Sequence, residues 1–157
     1  MRSTIILLIG VIFISNSCKK NNQSGNHYFK CKVDGQEYIP DACTNCIQVV
    51  LLRDTIFILG GNHGYETVGI GINNASNIKV GSYALNEIIG RRGDYKNNPS
   101  TDRFYTDATH TGSLQITLLD KQQKIISGTF SFQAFNTNQN KTVNITNGEF
   151  RLNYTTN

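Results

Sequence analysis

The residues of this 157-residue chain that are best suited to covalent or metal chemistry are its cysteines, Cys18, Cys31, Cys43 and Cys46. Cys43 and Cys46 have the Cys-x-x-Cys spacing of redox-active pairs and of half of many zinc sites. Because the chain has no second such pair and no closely spaced pair of histidines, we expect no metal site. We predict one structural disulfide, which joins Cys31 to Cys43 or Cys46, or joins Cys43 to Cys46. Free thiols are the alternative.

Candidate catalytic residues do not form a recognisable motif. The chain lacks the signature sequences of nucleophile-elbow hydrolases, zinc proteases, P-loop proteins, dinucleotide-binding domains and EF-hands. The acidic residues that could supply the two carboxylates of a glycosidase are Glu66, Glu87, Asp94, Asp102 and Asp107. Their spacing selects no pair. We therefore predict no catalytic residue and no cofactor. A protein that is not an enzyme is expected, and an envelope hydrolase acting on glycans is the alternative.

The N-terminal segment has the organisation of an export signal. Arg2 precedes ten apolar residues, Ile5–Ile14, which are too few for the ~20 residues of a bilayer-spanning helix. Two serines, Ser15 and Ser17, then precede Cys18. The arrangement resembles the bacterial lipoprotein signal, which implies that Cys18 becomes the first residue of the mature chain and carries lipid. Residues 1–17 are thus predicted to be a lipoprotein signal peptide.

The segment that follows Cys18 is polar. Residues 18–27 contain no branched apolar side chain, which is typical of a flexible tether between lipid and domain. The rest of the chain, residues 28–157, is long enough for one domain. Since the residue after Cys18 is Lys19 rather than an aspartate, we expect a lipid-anchored protein of the outer membrane; the periplasmic and surface faces both remain open.

The charge of the chain does not indicate nucleic-acid binding. The full sequence has 15 basic and 11 acidic residues, and loss of Arg2 with the signal leaves 14 basic residues. This excess of three is small, and the basic residues are scattered among acidic ones. We expect no nucleic-acid partner.

Alternation of apolar and polar residues between turn residues predicts an all-β protein. The Asp34-Gly35 pair is typical of a two-residue type I′ turn, which would place Cys31 opposite Tyr38. No segment shows a sustained helical repeat. About eight to ten strands are expected. The predicted fold is an antiparallel β-sandwich, and a partly closed antiparallel β-barrel is the alternative.

Two glycine patterns indicate special packing within strands. Gly69 and Gly71 alternate with inward apolar residues, so we expect another backbone or a bulky group over the glycine face. The apolar residues on either side of Asn147-Gly148 change parity, which predicts a β-bulge that keeps both halves of the strand on one buried face. A tight Asn-Gly hairpin is the alternative.

Residues 86–107 form the longest stretch of weak pattern and are interpreted as a binding loop. Long ordered loops often carry binding sites, and aromatic side chains give contact area at low entropic cost. The candidate contact residues are Arg91, Arg92, Asp94, Tyr95, Arg103, Phe104 and Tyr105.

Four short motifs occur in order along the chain: VDG at residues 33–35, GSY at 81–83, GTFSF at 128–132 and TNGEF at 146–150. Together they resemble a family of small Bacteroidota lipoproteins of unknown function. The resemblance covers nearly all of the chain after Cys18 and carries no known activity or site residues. We therefore expect a membrane-tethered, non-enzymatic module of the cell envelope that has a structural role or binds a ligand, an envelope protein or a glycan.

Overall fold

The computed structural model describes residues 27–41, 46–61, 66–97 and 103–156. The predicted signal peptide, Cys18 and most of the predicted tether lie outside these ranges. The strands are β1 (Tyr28–Val33), β2 (Gln36–Tyr38), β3 (Ile47–Leu52), β4 (Thr55–Gly61), β5 (Thr67–Asn73), β6 (Gly81–Leu85), β7 (Arg91–Lys96), β8 (Arg103–Tyr105), β9 (Gly112–Asp120), β10 (Ile125–Asn136) and β11 (Lys141–Thr156). The described helices are two 3-10 turns, Ala75–Asn77 and Glu87–Ile89, and neither could cross a bilayer.

All eleven strands belong to one hydrogen-bonded sheet with the order β2-β1-β11-β3-β4-β5-β7-β8-β10-β9-β6. An additional pairing of β10 with β11 makes the hydrogen bonding partly ring-like. The sheet is mixed because β11 runs parallel to β3, where Tyr154 pairs with Val49. The predicted all-β class is confirmed, with slightly more strands than the sequence indicated.

The pairing of β10 with β11 divides the sheet into two layers. The first layer consists of β2, β1, β11, β10, β9 and β6, and the second of β3, β4, β5, β7 and β8. The layers are joined at two corners: the parallel pairing of β11 with β3, and the pairing of Phe135 in β10 with Tyr105 in β8. Hydrogen bonding therefore continues from one layer to the other at both corners of this single mixed sheet.

Aromatic rings of the first layer pack against glycines of the second. A Cβ atom added to Gly60 of β4 would lie 2.4 Å from the ring of Phe29 in β1. A Cβ atom added to Gly93 of β7 would lie 2.6 Å from the ring of Phe132 in β10. Only glycine lets the layers approach this closely, since such distances are far below van der Waals contact.

Two local predictions from the sequence are confirmed. Asp34 and Gly35 both have positive φ, as a type I′ turn requires, and Cys31 pairs with Tyr38. The register of β10 with β11 shifts between the Phe130–Gly148 and Phe132–Ile145 pairs, which places a bulge at Asn147 with φ 52°. The strand β11 therefore continues through the Asn-Gly pair and keeps its apolar residues in the core.

Candidate binding groove

The segment predicted as a binding loop consists largely of strands. Residues 91–96 form β7 and residues 103–105 form β8, which pair with each other through Asp94 and Tyr105. Residues 98–102 lie outside the described ranges. Because side chains alternate between the two faces of a strand, the seven candidate contact residues cannot form one surface.

Tyr95 and Phe104 belong to the core, so the prediction that they form a contact surface is wrong. Their exposed fractions are 4% and 2%, and their ring centroids are 5.8 Å apart. The Tyr95 hydroxyl donates a 2.6 Å hydrogen bond to Oε1 of Glu66. Burial, with help from this contact, raises the pKa of Tyr95.

The other candidates lie outside the core. Arg91 stacks over the ring of Tyr83 at 5.3 Å, and Arg103 is exposed. The outer face of the second layer carries Arg92, Asp94 and Tyr105. Their side chains point the opposite way from those of their buried neighbours along each strand.

A groove runs over the outer face of the second layer at Gly71. Its volume is ≈ 320 Å³. Cross-strand pairing aligns Phe57, Gly71 and Arg92 in one row of three strands. A Cβ atom at Gly71 would lie 3.6 Å from the Phe57 ring and 3.9 Å from Arg92, so one small group fits between these two walls. The residues that line the groove are Thr55, Phe57, Gly71, Asn73, Glu87, Gly90 and Arg92.

The next row of the same face is filled. Gly69 pairs with Leu59 on one side and Asp94 on the other. A Cβ atom at Gly69 would lie 2.7 Å from Oδ1 of Asp94 and 2.9 Å from Leu59. The prediction of a bulky group over the glycine face is therefore confirmed at Gly69, where the bulky groups are the side chains of Asp94 and Leu59.

Arg92 is held by two neighbours beside the groove. Its guanidinium is 3.4 Å from Oε1 of Glu87 and 5.1 Å from the ring centroid of Tyr105. The cation–π contact and the ion pair restrict the guanidinium plane. Since Glu87 compensates the charge of Arg92, the groove carries hydrogen-bonding groups without a strong net charge.

Asp94 is the half-buried carboxyl of this face. Burial raises its pKa, while nearby Arg92 and Arg103 act in the opposite direction. Its carboxylate oxygens make no hydrogen bond, and no ion pair within 4 Å, with any described residue. They lie beside Gly69 and Leu59.

The groove also contains residues that the sequence did not single out. These are Thr55 and Phe57 of β4 and Asn73 of β5; Glu87 of the 3-10 turn was a candidate only as a glycosidase carboxylate. The one available signal was the apolar run of β4, whose outer side chains are half-buried rather than fully buried.

The predicted disulfide between Cys31 and either Cys43 or Cys46 does not form. Cys31 is a free, buried thiol and Cys46 is disulfide-bonded, so a bridge through Cys31 is excluded in this structure. Cys18 and Cys43 lie outside the described residues. Burial, with a smaller contribution from Glu66, raises the pKa of Cys31 to about 12, which keeps the thiol protonated and unreactive.

Asp107 serves a local turn. Its carboxylate accepts hydrogen bonds from the backbone amides of Thr109 and His110, which hold the pKa of Asp107 well below its usual range. The His110 ring stacks on Phe135 at 4.6 Å. Over the ranges that the structure covers, no three His, Cys, Asp or Glu side chains are grouped closely enough to hold a metal ion.

Comparison with known proteins identifies a family without an assigned activity. No curated protein and no solved structure matches the chain. A family model described as "Domain of unknown function (DUF6252)" matches residues 25–152, which include strands β1 to β10 and most of β11. The chain therefore belongs to the DUF6252 family.

Proposed function

We propose that this protein is a membrane-tethered, non-enzymatic module of the bacterial envelope that binds a segment of glycan in the groove over Gly71. The observation that carries the proposal is the row Phe57–Gly71–Arg92, in which an aromatic ring and a fixed guanidinium flank a glycine. The lipoprotein signal and the resemblance to Bacteroidota lipoproteins support the location. An outer-membrane anchor through Cys18 is part of the proposal.

The chemistry of the groove matches a neutral saccharide better than an ion. Thr55, Asn73, Glu87 and Arg92 present donors and acceptors that suit hydroxyl groups, whereas the Phe57 ring suits the apolar face of a sugar. The ion pair of Arg92 with Glu87 leaves no uncompensated charge to select a charged ligand. In such pockets an apolar wall contacts the ligand, and a few polar groups fix the ligand's orientation by hydrogen bonds.

Substitution of Gly71 by valine is expected to abolish glycan binding without loss of stability. The added Cβ atom meets ordinary contact distances, and the two methyl groups beyond it are expected to occupy the floor of the groove. Valine also favours a strand more than glycine does. The measurement is calorimetric titration with the best ligand from a panel of neutral and acidic oligosaccharides.

The matched control is Thr129→Val, which changes an exposed residue of β10 on the opposite layer. This variant should bind as the wild type does. Retention of wild-type affinity by Gly71→Val, or no binding of any saccharide by the wild type, would refute the assignment of the groove.

The tether makes a separate prediction. Intact mass of the native envelope protein should correspond to a chain that begins at Cys18 and carries acyl groups, because the signal ends in the arrangement of a lipoprotein signal. An unmodified N-terminal residue other than Cys18 would contradict it.

A glycan hydrolase is the second candidate, favoured by Asp94. A carboxyl whose pKa is raised by burial is what a general acid requires, and Glu87 contacts Arg92 on the same face. Release of reducing ends from a bound saccharide would establish this activity, while binding without turnover supports the binding module.

A further inference from the structure

We propose that the end of the fold at which the chain enters β1 docks onto the surface of an anionic lipid bilayer. The proposal rests on the lipid tether of the proposed function, because the tether determines which membrane this end meets. We call this part of the fold the entry end.

Strand register defines the entry end in the first layer. Tyr28, the first residue of β1, pairs with Arg151 of β11. Arg151 pairs with Ser127 of β10, and Ser127 pairs with Leu118 of β9. The start of β1 therefore lies at the same end as the β9–β10 turn, residues 121–124.

The second layer contributes its own turns to the entry end. The last residues of β11 run alongside the end of β3, where Thr156 pairs with Leu51. Thr55, after the β3–β4 turn, pairs with Asn73, and the Asn73 amide donates a 2.9 Å hydrogen bond to the carbonyl of Gly90. The turn at residues 53–54 and the 3-10 turn Glu87–Ile89 thus belong to the same end.

Exposed apolar side chains are concentrated at the entry end. Five large apolar side chains are exposed in the described part of the chain, and four of them lie here. They are Leu52 (48% exposed), Val80 (54%), Ile88 (75%) and Ile89 (51%). The adjacent isoleucines of the three-residue turn are both more than half exposed, and such exposure is costly in water.

The concave surface beside these residues is also apolar. A shallow pocket of ≈ 480 Å³ lies between the segment before β6 and the end of β9. Its apolar lining comes from Ile78, Val80, Leu118 and Leu119. Such a surface can accommodate acyl chains of a bilayer interface.

The charge of the entry end suits anionic lipid. Four basic residues, Arg53, Lys79, Lys121 and Lys124, are exposed there, and none of them forms an ion pair with another described residue.

The acidic residues nearby reduce this positive charge without cancelling it. Glu87 is compensated by Arg92, so four basic residues face two carboxylates, Asp54 and Asp120, and an excess of two positive charges remains. Asp54 accepts a hydrogen bond from the Ser76 amide, Asp120 accepts from the amides of residues 122 and 123, and Glu87 pairs with Arg92. Basic residues beside apolar ones are the combination that binds peripheral proteins to anionic bilayers.

The tether brings this end to the surface. Residues 18–27 can span at most about 35 Å when fully extended, and they join the domain at Tyr28. Confinement within that distance makes a weak surface contact effective, as for any linked second binding event. The groove over Gly71 lies beside the entry end through Thr55, Asn73 and Glu87, so docking would bring it close to lipid headgroups.

The absence of tryptophan from the sequence permits a direct test in the full-length lipidated protein. Ile88→Trp places a single indole at the entry end, and Gln139→Trp places one in the exposed β10–β11 turn at the opposite end. Both variants are reconstituted with vesicles whose acyl chains are brominated, in zwitterionic lipid and in lipid with about one third anionic headgroups.

We expect at least a twofold loss of emission at position 88 in anionic brominated vesicles and no change at position 139. Lys121→Glu combined with Lys124→Glu should abolish the loss at position 88. An equal fractional loss of emission at both positions would overturn the proposal. So would a loss at position 88 that is unchanged by the two lysine substitutions. A dimer in sedimentation equilibrium, with no quenching, would overturn it in favour of a second copy.

Failure of the tether is distinguishable from failure of docking. Flotation of the wild type with zwitterionic vesicles reports the lipid on Cys18, because the docking proposal requires anionic headgroups. Protein that floats but shows no quenching at position 88 retains its anchor and lacks docking, which overturns the present proposal alone.

Discussion

Replacement of Gly93 by alanine is expected to lower the free energy of unfolding by about 1–3 kcal/mol, the usual cost of overpacking a core. The added Cβ atom would lie 2.6 Å from the ring of Phe132, at the ring's attachment point rather than at a mobile end. Gly93 does not have positive φ, so the cost is steric and not a backbone effect. Urea unfolding at neutral pH measures the change.

Two further variants make this result specific. Gly71→Ala, on the outer face of the adjacent strand, should be neutral or stabilising because its Cβ atom meets ordinary contacts. In the double variant Gly93→Ala with Phe132→Ala, the cost should be less than the sum of the single costs, since removal of the ring together with its Cγ atom eliminates the clash. Additive costs would mean that Gly93 and Phe132 are not in contact.

Stability should fall steeply above pH 9 because the thiol of Cys31 is buried. Its pKa rises from 9.0 when exposed to about 12 in the fold. The folded protein therefore retains a proton that the unfolded chain loses. The stabilising contribution of the protonated thiol is complete below pH 9 and disappears as the pH rises to 12. The free energy of unfolding falls by about 1.4 kcal/mol per pH unit, so about 3 kcal/mol is lost by pH 11. Burial also raises the pKa values of Tyr38 and Tyr95, which adds to the loss above pH 10.

The thiol contribution can be isolated by substitution. Cys31→Ala removes the titrating group, so its unfolding free energy should decline less between pH 9 and 10.5 than that of the wild type. The variant will be less stable at neutral pH, because Cys31 is 5% exposed and packs in the core. Comparison of slopes, rather than of absolute values, therefore tests the prediction. Identical slopes would show that Cys31 ionises freely in the folded protein.

Local features were predictable from the sequence because local rules decide them. The type I′ turn at Asp34-Gly35 depends on two residues that tolerate positive φ, and the bulge at Asn147 follows from the parity of flanking apolar residues. The all-β class follows from period-two alternation, which requires no knowledge of partners.

The segment at residues 86–107 shows the limit of that approach. Its polar residues obscure the alternation and favour a loop, although Gly93, Tyr95 and Phe104 point into the core. Burial of Tyr95 is possible because Glu66, 29 residues earlier in the chain, accepts a hydrogen bond from its hydroxyl group. No local pattern could identify this hydrogen-bond acceptor.

The sequence by itself determined the all-β class, the type I′ turn at Asp34-Gly35 and the bulge at Asn147, and it predicts the signal that precedes Cys18. Tertiary structure decided that Cys31 is a free buried thiol and that Thr55, Gly71, Glu87 and Arg92 surround one groove. The physical reason is register. Alternation along one strand is set by its own residues, whereas the row in which side chains of different strands meet depends on hydrogen bonding between segments distant in the chain.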